Sequence, residues 1–207
     1  MQGLSRSGKS KAKGICGTGI IEAVAEMVTA GVILKSRRLN LRREHPRLRN
    51  ENGPEFILAR AEQTSLGKDI TLSQHDAQAL ALAKAAMYGA CKVLLNKLGI
   101  ARPDKVILAG AFGSLVDSER AMAIGLFPDM DPKDVRAVGN AAGDGARNAL
   151  LNAGKRAEAD RIALKVEHVD FALEKRFPDE FAYALQFPHM RDELSHLRRR
   201  LAENLNR

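Results

Sequence analysis

Tryptophan is absent from the 207 residues, and there are only two tyrosines and seven phenylalanines. With aromatics at 4%, the stacking platforms that hold single-stranded nucleic acid are scarce, and no nucleic-acid partner is expected. The two cysteines, Cys16 and Cys91, lie far apart. They make no disulfide framework and cannot supply the four thiolates of a common iron–sulfur cluster. His75, His168 and His189 each stand alone, without metal-ligand spacing. No apolar run approaches the ~18–20 residues that span a bilayer, so no membrane segment is expected. Met1-Gln-Gly-Leu is followed by Ser, Arg and Lys rather than by a signal-peptide core, and the expected location is cytoplasmic. Acidic residues are the minority, 25 against 33 Lys and Arg, which gives a net charge of +8. Part of that charge is local, in Arg37, Arg38, Arg42, Arg43, Arg47 and Arg49 and again in Arg198–Arg200. The basic stretches read as a solvated face or one that meets an acidic partner.

What the chain does have is glycine in turns. Val106-Ile-Leu-Ala-Gly-Ala-Phe-Gly-Ser114 reads as a buried strand that runs into a tight turn. A glycine there lets the backbone approach a ligand, and in open α/β sheets ligands sit beyond such strand ends. An ordinary strand-to-helix turn has the same pattern, so this stretch does not decide alone. Gly14-Ile-Cys-Gly-Thr-Gly19 opens an amphipathic helix upstream, and Val138-Gly-Asn-Ala-Ala-Gly-Asp-Gly-Ala146 opens another downstream. Three such turns suit a nucleotide held between layers.

The other elements follow from local signals. Gly3-Leu-Ser-Arg-Ser-Gly-Lys-Ser10 matches the P-loop pattern letter for letter, but it lacks the preceding strand and following helix, so residues 1–13 read as a flexible tail. Thr18 is a candidate cap for a helix from Gly19 or Ile20, with Ile20, Val24, Met27 and Val28 on its inner face and Gly31 as its stop. Residues 33–52 read as an irregular loop with one short strand around Leu39–Leu41. Glu55–Ala59 and Asp69–Leu72 read as a hairpin around Thr64–Gly67. Ser73 caps the longest helix, about Gln74 to Leu98, whose apolar stripe is Leu80, Ala83, Met87, Cys91, Leu94 and Leu98. Cys91 is expected to be a packed thiol on that stripe. A short helix at Ser118–Ile124, a turn at Gly125–Pro128 and a strand at Asp134–Val138 come next. The helix at Asn140–Asn152 is rich in small residues that allow close packing, and Asp144 reads as an exposed residue on it. Lys155–Leu164 continues helical, Lys165–Val169 is a candidate edge strand, and a helix starts at Phe177. Leu194, Leu197, Leu201 and Leu205 give residues 190–207 a narrow helical seam.

These motifs together resemble a family. Gly14–Gly19, Gln74–Lys84, Leu108–Ser114, Ile124–Pro128, Gly139–Ala146 and Phe187-Pro-His189 are similar to the C-terminal domain of the reductive activators of corrinoid-dependent enzymes. That domain belongs to the acetate and sugar kinase, heat-shock chaperone and actin superfamily. Within Gln74–Lys84, residues Gln74, Asp76, Leu82, Ala83 and Lys84 match the family pattern. Gln78 stands where arginine is usual, and Ala81 where glutamine is usual. The resemblance implies an α/β fold for residues 14–189, an actin-like ATPase (ribonuclease H-like) lobe with a mixed sheet flanked by helices. It implies ATP with Mg as ligand, and an ATP-dependent activator that helps drive cobalt reduction in an inactive corrinoid protein or cobalamin-dependent methyltransferase. The implied nucleotide-binding residues are Gly17, Thr18 and Gly19 for phosphate, Gly110, Gly113 and Ser114 for adenosine and its nearest phosphates, and Gly139 and Asn140 to close the pocket. No catalytic base is identified.

The resemblance also implies companions. The superfamily's first lobe and the family's [2Fe–2S] domain are expected upstream of the segment matched here, either in a longer chain or in a partner, and a homodimer is the alternative. Alone, the chain is expected to bind nucleotide weakly, hydrolyse it negligibly and carry no cluster. Two rival readings remain. One is an activator of the 2-hydroxyacyl-CoA dehydratase type, with a cluster shared through Cys16. The other is a non-enzymatic scaffold that binds an acidic partner.

Overall fold

In the computed structural model, which describes residues 11–194, four of the seven described helices begin on a side-chain cap, from Ser73, Asp117, Asn140 and Asn152. Helix α1 spans Gly17–Thr29 and ends where Gly31, at φ +70°, takes the left-handed conformation that stops it. Its N-cap is Cys16, not Thr18, so the helix starts two residues before the expected place. Helix α2, Gln74–Lys97, is capped by a reciprocal pair: the Ser73 hydroxyl accepts from the Asp76 amide, and the Asp76 carboxylate accepts from the Ser73 amide at 2.8 Å. Helices α3 (Gly110–Leu115), α4 (Ser118–Ala123), α5 (Ala141–Leu151), α6 (Ala153–Ala163) and α7 (Phe177–Ala184) complete the set among the described residues. Asn152 ends α5 and caps α6, so that stretch is two helices.

Strands β1 (Leu48–Arg49), β2 (Glu55–Ala59) and β3 (Ile70–Ser73) form an antiparallel sheet in that order. The expected hairpin is present, with Glu55 opposite Ser73 and Phe56 opposite Leu72. Strands β4 (Val106–Leu108) and β5 (Val135–Ala137) pair in parallel in a separate two-stranded sheet. Two expected strands do not form. Around Leu39 there is a single antiparallel bridge to Ile33, because Arg37 at φ +73° turns the chain between them. Residues 165–169 are irregular, with no neighbouring strand to pair them.

The main core lies between α1, α4, the hairpin and the first half of α2. It contains Val24, Met27, Ile33, Leu72, Ala77, Ala81, Met122, Ile124 and Phe187. A second cluster joins α2 to α7 through Ala85, Tyr88 and Ala184. Here the expected face of α2 is corrected. The buried residues are Ala77, Ala81, Lys84, Ala85, Tyr88, Gly89 and Val93. Of the predicted stripe, Leu80 is half-buried against the main core, but Met87, Leu94 and Leu98 are exposed by 42%, 40% and 70%. The close approach of α7 accounts for the glycine on the inner face: a Cβ at Gly89 would lie 3.2 Å from the Phe181 nitrogen. Cys91 is half-buried and outside both clusters, and burial raises its thiol pKa. By length and composition α2 qualifies as a membrane span. Its buried Lys84 and Tyr88 mark it instead as a helix with one face inside the protein.

The motif on α2 holds the fold together. The Gln74 side chain accepts from the Leu39 amide at 2.9 Å and donates to the Arg37 carbonyl at 2.8 Å, which pins the arginine-rich loop. Lys84 is fully buried and donates to the carbonyls of Gln186 and Pro188. His189 stacks on Tyr88 with ring centroids 4.7 Å apart, and its Nδ1 accepts from the amides of Arg191 and Asp192. Ala81 lies in the core and Gln78 at the surface, so no polar network passes through the two positions that depart from the family pattern. Ala12, within the expected tail, forms an isolated bridge with Thr64. The P-loop match and the leucines at 197, 201 and 205 lie outside the described residues; Leu194 is buried, and residues 190–194 form no helix.

Candidate functional site

The three glycine turns, far apart in sequence, are linked by direct contacts. β4 carries Gly110 at its carboxyl end, and β5 carries Gly139 in the corresponding place one strand over. The Gly110 amide donates to the Gly139 carbonyl at 2.7 Å, and the Val138 amide donates to the Leu108 carbonyl at 3.0 Å. Phe112, in the first turn of α3, reaches α1: a Cβ at Gly17 would lie 3.2 Å from the ring. The starts of α1, α3 and α5 are therefore coupled in series, through Phe112 and through the Gly110–Gly139 bond.

Each predicted residue has a definite place in this arrangement. Gly110 and Gly139 have φ of +91° and +67°, with no atom within 4 Å of a notional Cβ. Backbone conformation demands glycine at both, and the space in front of them is open. The Gly110 amide is already engaged, however, so it does not offer the free N–H that the sequence suggests. Gly113 is buried, and a Cβ there would lie 2.9 Å from Leu108 Cβ, so it lets α3 sit on β4. The Ser114 hydroxyl donates to the Gly110 carbonyl at 3.0 Å within α3. Asn140 caps α5 by accepting from the Gly143 amide at 3.1 Å. A Cβ on Gly143 would overlap that side chain, so Gly143 goes with the cap.

The first turn of α1 is where an anion is best served. Gly17, Thr18 and Gly19 sit in the first turn of a 13-residue helix, where amides lack partners within the helix and the dipole favours negative charge. The Cys16 thiol lies 3.5 Å from the Thr18 hydroxyl. That hydroxyl, followed by the Gly19 amide, holds the thiol pKa below its ordinary value. Sequence reading missed Phe112, although it is the residue that joins two of the predicted turns; an aromatic residue between Gly110 and Gly113 was the available signal.

Carboxylates are not gathered at this place. Asp144 is 63% exposed at the side chain and pairs with Arg147 at 3.3 Å, as an exposed helix residue does. Among the described residues no group of three His, Cys, Asp or Glu could hold a metal ion. An apolar groove of about 270 Å³ runs beside α1, lined by Ala23, Met27, Phe56 and Leu58 together with Arg43 and Arg120. Gly14, Ile15 and Gly19 of the first glycine turn also line it, whereas no residue of the other two turns does.

Comparison with known proteins gives three findings. The family described as the C-terminal domain of RACo, the ASKHA domain, matches residues 2–198. The chain is 32% identical over 191 residues to the corrinoid activation enzyme RamQ of Eubacterium limosum, covering 87% of this chain and 32% of that protein. It is similar in structure to a reductive activator for corrinoid, iron-sulfur protein, with TM-score 0.80, 36% identity, and coverage of 87% of this chain and 29% of the other. The chain thus spans about a third of the length of these relatives.

Proposed function

This chain belongs to the family of the C-terminal ASKHA domain of RACo, and from that membership we propose that it is the ATP-binding domain of an ATP-dependent reductive activator of corrinoid proteins. The observation that carries the reading is the linkage of the three glycine turns, Gly17 to Phe112 and Gly110 to Gly139, at the carboxyl ends of two parallel strands. That is where α/β folds place their ligands. The actin-like fold supports nucleotide binding, and the relatives' names supply the corrinoid context.

In this reading the α1 amides of Gly17, Thr18 and Gly19 face the phosphates. The Gly110–Gly139 bond fixes the spacing of α3 and α5, and Asn140 keeps the start of α5 in place. Gly113 acts by letting α3 sit on β4, and Ser114, exposed on α3, is proposed to meet adenosine or its nearest phosphates. Bound nucleotide would tie α1, α3 and α5 into one unit. A change in that ligand would alter how the unit meets a companion domain, which is how ATP turnover could be coupled to electron transfer. The glycine turns carry no carboxylate apart from the ion-paired Asp144, so they do not fit a protein-held Mg ion, and no step is routed through one. The chain's two cysteines are on separate helices and do not fit a [2Fe–2S] cluster, which needs about four ligands. A corrinoid protein or cobalamin-dependent methyltransferase is the proposed target, and the cytoplasm the proposed location.

Isothermal calorimetry with ATP and ADP tests the reading. Saturable binding that is lost when Gly110 is replaced by valine supports it. Absence of binding to the wild-type chain at millimolar nucleotide overturns it.

A further inference from the structure

Phe112 is unusual among the aromatic residues. Phe127, Phe187 and Tyr88 are buried, and Phe56, Phe171, Phe177, Phe181 and Tyr183 are half-buried. Among the described Phe and Tyr rings, Phe112 alone is exposed, by 49%. It belongs to neither hydrophobic cluster. One edge of the ring, Cε2 and Cδ2, faces Gly17, where a Cβ would lie 3.2 and 3.6 Å away. Any residue other than glycine at 17 would therefore press on the ring. Gly110, two residues before the ring, and its hydrogen-bond partner Gly139 are bare: neither has an atom within 4 Å of a notional Cβ.

We infer that Phe112 is the nucleobase platform of this site. The inference rests on the nucleotide reading and adds to it the residue that holds the base. A purine has a flat, polarisable face, and an aromatic ring is its natural partner; base–aromatic stacking is sequence-tolerant because every base has such a face. The ring edge stays on Gly17 and orients the side chain, while the exposed part is left for the ligand. The same contact keeps the α1 amides and the base platform in a fixed relation. Phosphate and base thus bind to two ends of one rigid connection, Gly17 to Phe112. Stacking supplies affinity without reading base edges, so ATP and GTP should bind with similar affinity.

The test compares ligands with and without a base. Calorimetry would measure ATP, GTP and inorganic tripolyphosphate against the wild-type chain, Phe112→Leu and Phe112→Trp. Leucine keeps an apolar contact with Gly17 and removes the ring; circular dichroism checks that it folds. The expected result is a loss of about 5- to 150-fold for ATP and GTP alike in Phe112→Leu. Tripolyphosphate affinity should stay unchanged, and tryptophan should restore nucleotide binding. Unchanged ATP affinity in the leucine variant overturns the inference and leaves the nucleotide reading standing. Tripolyphosphate and ATP weakening in parallel also overturns it, since Phe112 would then only hold α1 in place. A wild-type chain that binds neither nucleotide sinks the nucleotide reading itself, and the role of Phe112 with it.

Discussion

Lys84→Met should destabilise the protein, and the size of the effect should grow with pH. Lys84 is fully buried at the middle of α2 and donates to the carbonyls of Gln186 and Pro188, the second at 2.5 Å. Among the described residues its hydrogen-bond partners are these two carbonyls and no carboxylate. Burial, and to a lesser degree the nearby Arg37, push its pKa down to about 7 from an ordinary 10.5. Methionine fills the place of the stem but leaves two buried carbonyls without a donor. An unsatisfied buried acceptor costs about 1–3 kcal/mol, part of which is offset because no amine has to be desolvated. A net loss of about 2 kcal/mol near pH 7 is therefore expected. The pH dependence follows from linkage. Below pH 7 the amine is protonated in both folded and unfolded chains and contributes no slope. Between pH 7 and 10.5 the unfolded chain keeps the proton that the folded chain has released, so wild-type stability rises with pH. The full slope is about 1.4 kcal/mol per pH unit, approached once the folded amine is mostly neutral. The gap between wild type and variant should therefore widen by roughly 2 kcal/mol from pH 7 to 9. Urea unfolding followed by far-ultraviolet circular dichroism at pH 6, 7, 8 and 9 measures this gap, and other groups cancel in the difference. A gap that does not change with pH would refute the reasoning. It would mean that the two carbonyls keep the ammonium charged despite burial.

Three further outcomes follow from the packing and the site. On α2, Met87→Asp should cost no more than about 0.5 kcal/mol because Met87 is exposed, whereas Gly89→Ala should cost about 1–2 kcal/mol because its Cβ meets the Phe181 backbone; denaturant midpoints that reverse this order would show that the inner face of α2 has been assigned wrongly. Gly110→Val places a β-branched residue at φ +91°, a strain of about 1–3 kcal/mol; the domain should still unfold cooperatively while ATP binding by calorimetry disappears, and retained binding would make Gly110 structural only. Steady-state ATP hydrolysis by this chain alone should fall far below ~1 s⁻¹, the low end of ordinary enzymes, because its glycine turns gather no carboxylate able to orient water; turnover at that rate would reveal a base not recognised here.

The elements written in short-range chemistry were legible in the sequence. The β2–β3 hairpin follows from alternation around a glycine turn, the start of α2 from the Ser73–Asp76 pair, the end of α1 from Gly31, and the α5 start from Gly139-Asn140. Each helix end is decided within about four residues, and the hairpin joins strands that are consecutive in the chain, so no distant partner has to be known. The three glycine turns were also legible as separate motifs, and their family by their order along the chain. What only the tertiary structure decided was which groups are already engaged. α2 is apolar nearly all round, so periodicity alone could not choose its inner face; packing against the main core and α7 put Ala81, Ala85, Tyr88 and Gly89 inside and left Met87 and Leu94 outside. Lys84 looks like a surface charge in the sequence, and becomes a buried clamp because residues 186–188, about a hundred positions later, present two carbonyls to it. The Gly110 amide looks free until β5 brings the Gly139 carbonyl to 2.7 Å. Phe112 reads as one more apolar residue until α1 and α3 meet at its ring. Hydrogen bonds and van der Waals contacts act over a few ångströms, and these four outcomes depend on residues that are close in space but distant in sequence.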